Sequence, residues 1–186
     1  MPNEPASSRA QALLAFWFDE VGPARWWRAD PALDAQIAER FGALHAAACA
    51  CELEGWRASP AGRLAEVILL DQLSRNLYRD SARAFAQDGL ALALAQEAIR
   101  AGADRALSPA QRHLLYMPFM HSESALMQRR SMALFSAPGL EPQLEHAQRH
   151  KAVVERFGRY PQRNAALGRR STVAERRYLA EPGSRF

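Results

Sequence analysis

The chain has 186 residues, 48% of them hydrophobic and 24% charged, with a net charge of +4, enough for one well-filled core and cramped for two. No apolar run approaches the roughly 20 residues that cross a bilayer, the opening MPNEPASSRA lacks the cationic-then-apolar order of a secretory signal, and two cysteines are too few for a disulfide framework. These features argue against a helical membrane protein and a disulfide scaffold, and they predict one cytoplasmic domain over 8–186 behind a disordered start at 1–7.

The first predicted helix, near 8–20, carries LLAFWF at 13–18 and precedes Trp26-Trp27, an aromatic segment suited to the core, to a lid over it or to a ligand groove. Asp30-Pro31, Ser59-Pro60 and Ser108-Pro109 each pair an N-cap residue with proline at the first helical position, where its missing N–H costs nothing. They predict helices near 31–53, 60–78 and 109–117, the first holding Cys49 and Cys51 as reduced thiols. Helices near 84–101, 119–136, 142–158 and 172–180 complete a set of about eight, the last opened by a capping box from Thr172 to Glu175. Alternating β-branched runs and hairpin turns are absent. The fold class is therefore all-α, and the short connections favour antiparallel helical hairpins such as 60–78 with 84–101.

Polar residues interrupt the apolar faces at particular places. In the 60–78 helix, Leu64, Ile68, Asp71, Arg75 and Arg79 share one side, while Leu69, Leu70, Leu73 and Leu77 form a second apolar sector, as expected of a central helix. Asp71 and Arg75 then form either a buried ionic staple or part of a site. His121 shares a face with Leu114, Met117, Gln128 and Met132, whereas Glu123 points nearly opposite. Pro118 either starts a new helix there or kinks a continuous one. His146 and His150, spaced i,i+4, could present two imidazoles to a metal, but no further ligand is identifiable. No metal or cofactor is expected.

The stretch RFGRYPQRNAALGRRST, residues 156–172, holds five arginines, and from Arg149 onward ten basic residues face three acidic ones. Gly158 should end the preceding helix, leaving Arg159, Arg163 and Asn164 in an irregular turn. Arginines there can fork onto an external carboxylate or phosphate, or onto the protein's own carboxylates and carbonyls. No phosphate loop, recognition-helix pattern or RNA-binding aromatic signature accompanies them, which argues against nucleic acid.

Taken together, FWF at 16–18, LLDQLSRNLYR at 69–79, MPFMHSE at 117–123 with Gln128, His150 and RFGRYPQRNAALGRRSTVAE at 156–175 resemble a bacterial family of uncharacterised proteins, domain of unknown function 924. The resemblance covers nearly the whole chain and implies a tetratricopeptide-like helical fold with no established reaction. The family pattern prefers Phe-Pro at Leu73-Ser74 and His at Gln162. The polar set it carries over is Asp71, Gln72, Arg75, Asn76, Arg79, His121, Glu123, Gln128, His150, Arg159, Arg163 and Asn164.

Three functions fit these residues. The first is a binding domain whose cleft holds an anionic small molecule or acidic peptide on Arg75, Arg79, Arg159 and Arg163, with Asn76, Gln128 and Asn164 as further ligand contacts and His121 and His150 orienting the ligand. It requires arginines that internal carboxylates do not consume. The second is an enzyme using His121 or His150 as general base, tuned by Asp71 or Glu123. The third makes the network structural, in a protein-interaction scaffold.

Overall fold

Every helix start the capping grammar marks is realised. In the computed structural model, which describes residues 6–184, α1 (Ala6–Ala15) runs into a π-helical turn, Phe16–Val21, and then the short α2 (Pro23–Trp26). Residues 1–5 of the predicted disordered start lie outside the described residues, as do 185 and 186. Asp30 accepts hydrogen bonds from the N–H groups of Ala32 and Leu33 and opens α3 (Pro31–Cys49). Ser59 accepts from Gly62 and opens α4 (Pro60–Ile68), which passes through a second π turn, Leu69–Leu73, into α5 (Ser74–Leu77). There follow α6 (Asp88–Arg100), α7 (Pro109–His121), α8 (Ala125–Phe135), α9 (Glu141–Phe157) and α10 (Val173–Leu179). Ser108 with Gln111, and Thr172 with Glu175, form complete capping boxes. Gly158 ends α9 with φ of 70°.

The molecule is all-helical, with no strand among the described residues and no helix among them long and apolar enough to cross a membrane. Its centre is the α4–π–α5 segment, as the two apolar sectors require: every residue from Leu64 to Ser74 is buried. Leu64, Ile68, Leu69, Leu70 and Leu73 are fully buried, each contributing roughly 1.5–3 kcal/mol over an exposed position. α4 touches α1, α6 and α7, and consecutive helices from α6 to α9 pack side by side. The start of α4 can fold back this tightly on the preceding 54–58 turn because residue 62 is glycine. A Cβ there would lie 2.0 Å from the Trp56 carbonyl oxygen.

Two local expectations change. Of the two readings of Pro118 the continuous helix holds, so the boundary predicted between 109–117 and 119–136 moves to 122–124. The 60–78 stretch is not one straight α-helix, because the π turn inserts a residue, and such insertions are frequent at functional sites. Asp71 lies inside that turn with no exposed surface.

Candidate functional site

A cleft of about 570 Å³ opens where the end of α5, the C-terminal half of α7, the start of α9, the 158–172 loop and Trp26-Trp27 converge. Gln72, Arg75, Asn76 and Arg79, spaced i, i+3, i+4 and i+7, form one wall. Asp71 sits behind this stripe and not on it. Met117, Met120 and His121 come from α7, Gln143, His146 and His150 from α9, and Tyr160, Gln162 and Arg163 from the loop. Four of the chain's five histidines, His113 included, border this one cavity.

At its floor His121 Nδ1 lies 2.7 Å from Asp71 Oδ1. The Gln72 amide donates to the other carboxylate oxygen, and Arg75 lies 3.4 Å from Oδ1. Burial opposes ionisation of Asp71, but Arg75 and His121 outweigh it and hold the carboxyl below its ordinary range. A carboxylate with no exposed surface is tolerable only with such partners. Burial lowers the pKa of His121, Asp71 opposes this and Arg75 adds to the lowering, so the net shift is downward. At neutral pH the imidazole is uncharged, with Nδ1–H donating to Asp71 and Nε2 carrying the lone pair.

The imidazoles of His150 and His113 are neutral as well. Burial, then the nearby His121, push His150 down to about 3; its Nδ1 donates to the His146 carbonyl at 2.8 Å, and its ring centroid is 6.2 Å from that of His121. Burial pushes His113 down to about 4, with His146 adding to the shift. Among the described residues no group of three or more His, Cys, Asp or Glu is arranged to hold a metal ion.

Arg75, Arg79 and Arg163 are spoken for. Arg75 and Arg163 both pair with Asp88, at 3.0 and 2.9 Å, and Arg79 forks onto Asp34 at 2.9 and 2.8 Å, with Asn76 bonded to the same carboxylate. Arg163 also donates to the His121 carbonyl at 3.0 Å and lies over the rings of Phe85 and Tyr160. The predicted set therefore divides. Asp71, Arg75, Asn76, Arg79, His121, His150 and Arg163 form or back the cleft, whereas Glu123, Gln128, Arg159 and Asn164 do not line it.

Those four belong to a clamp that fastens the loop. Glu123 accepts a forked pair from Arg169 at 2.7 and 2.9 Å and the Tyr160 N–H at 2.8 Å. Arg159 forks onto Glu175 at 2.7 and 2.9 Å, which holds that carboxyl well below its usual range. Asn164 bonds Arg169 and Ser171. The last carbonyls of α7 have no partner within the helix, so Gln128 and Tyr160 serve Met120, Gln128 serves Ser122 and Arg163 serves His121. Three of the five arginines in the 156–172 stretch, Arg159, Arg163 and Arg169, therefore bind the protein's own carboxylates and carbonyls, and Arg156 lies over the rings of Phe157 and Tyr178.

Sequence reasoning missed Asp88, Phe85 and His113 as neighbours of the site. Asp88 meets Arg75 and Arg163 across 13 and 75 residues, a separation no local pattern reveals. The resemblance did point at Gln162, where the family pattern has an imidazole.

A solved protein of unknown function from Agrobacterium tumefaciens is similar, with 39% identity, coverage of 95% of this chain and 99% of that one, and a TM-score of 0.88. No curated protein matches the chain at a significant level. Residues 13–183 match the model of the bacterial proteins of unknown function called DUF924, so that the chain belongs to this family.

Proposed function

We propose that the cleft is a small-molecule site in which His121, held by Asp71, acts as a general base. The observation that carries this reading is the 2.7 Å Asp71–His121 contact at the floor of a cavity large enough for a metabolite. A carboxylate on Nδ1 fixes the tautomer, leaves Nε2 to accept a proton and stabilises the imidazolium that results. Burial and Arg75 keep the imidazole neutral beforehand. Because Asp71, Asp88 and Asp34 already offset Arg75, Arg163 and Arg79, the cleft suits a substrate with little net charge better than the polyanion that free arginines would have attracted.

The test is turnover by the full chain of panels of small uncharged or singly charged esters and amides, with folding checked by circular dichroism. Any activity found should vanish in His121→Gln and fall in Asp71→Asn with an altered pH profile, since the tautomer is then wrong. Activity that survives His121→Gln overturns the reading. A binding role without chemistry is the second reading, favoured by Arg28, which lines the cleft and has no ion-pair partner among the described residues. It predicts ligand-dependent melting without turnover.

A further inference from the structure

The end of the cleft away from Asp71 has a different chemistry. Trp27 is 54% exposed, and its ring lies 5.8 Å from Trp26 and 5.7 Å from the imidazole of His113. Trp26 in turn stacks on the fully buried Trp17 at 6.0 Å, so a ladder of rings climbs from the core and ends on an open indole face. His113 is half-buried and neutral, which makes it a flat wall and not a charge. In the same lining, the carboxamide oxygens of Gln143 and Gln162 are buried and have no hydrogen-bond donor among the described residues. A buried acceptor without a donor is destabilising, and once its side chain turns towards the cleft a donor carried by a ligand relieves that.

We propose that this end selects a planar aromatic ring bearing an N–H or O–H donor: the ring lies against Trp27 and His113, and the donor meets Gln143 or Gln162. Arg28, at the rim, admits a single negative charge on the same molecule. The inference rests on the small-molecule reading of the cleft but not on the general-base role of His121.

Calorimetric titration of the full chain with para-hydroxybenzoate, para-aminobenzoate, their saturated-ring analogues and inorganic sulfate tests it. The aromatic probes should bind up to about tenfold more tightly than the saturated ones, Trp27→Ala should erase that preference, and Gln143→Leu with Gln162→Leu should remove the advantage of a hydroxyl or amino group. The preference is read from binding alone and needs no turnover, which separates this site from the proton-transfer assignment. Equal affinity for flat and saturated rings, no binding of any probe, sulfate binding alone, or a preference that survives Trp27→Ala overturns the proposal.

Discussion

The loop clamp and the cleft floor are built from the same residue types, yet they are wired differently. In the clamp each carboxylate owns a forked arginine: Glu123 takes Arg169 and Glu175 takes Arg159, with backbone N–H groups using more of the lone pairs. On the floor, partners are shared. Asp71 serves His121, Gln72 and Arg75, Asp88 serves two arginines, and the imidazole edge borders a cavity. A set of Asp, Glu, His and Arg does not by itself mark a site. What distinguishes one is where the pairing leaves a group with capacity facing open space.

The largest effect should come from Asp71→Ala. It takes the buried acceptor from His121 and Gln72 and leaves Arg75 with Asp88 alone, and is expected to cost about 3–5 kcal/mol in urea unfolding; a cost like that of an exposed ion pair would place Asp71 with the solvated charges. Next is acid. His113 and His150 have folded pKa values of about 4 and about 3 against about 6.5 unfolded, so the unfolded chain binds protons first. Their contribution is complete above about pH 6.5 and is lost as pH falls towards the folded values, at up to about 1.4 kcal/mol per pH unit for each histidine. Melting temperature against pH should flatten in a His113→Gln, His150→Gln variant.

A smaller loss, about 1–3 kcal/mol, is expected from Tyr160→Phe, which removes the hydroxyl between Met120 and Gln128. Smallest of all, on the cleft, should be the effect of Arg159→Ala. It lowers the melting temperature by freeing Glu175, while carbethoxylation of His121, followed by mass spectrometry, keeps its wild-type rate. A changed rate would mean that clamp and floor are one unit.

The sequence carried the fold well because its signals were local. Asp30, Ser59, Ser108 and Thr172 cap the helices they were expected to cap, and two-sided apolarity marked α4 as central. The site was legible in its residue types but not in its partnerships. A straight-helix projection grouped Asp71 with Arg75 and Arg79, whereas the π turn sets Asp71 behind the Gln72–Arg79 stripe, and no residue pattern announces a π turn. Arg159 and Arg163, four positions apart, went to different carboxylates because Glu175 is nearby in the chain and Asp88 is brought in by the fold.

The ties that complete the end of α7 join residues far apart in the chain: Arg163 reaches His121 across 42 residues, Tyr160 reaches Met120 across 40 and Arg169 reaches Glu123 across 46. During synthesis, the helices up to α7 can form before any of these partners has left the ribosome. Closing such long loops is slow compared with helix growth, so helicity should recover before the cleft does in refolding. A chain cut short after α9 would keep much of its circular dichroism while lacking the finished floor, and the C-terminal segment acts as the step that converts a helical scaffold into a site.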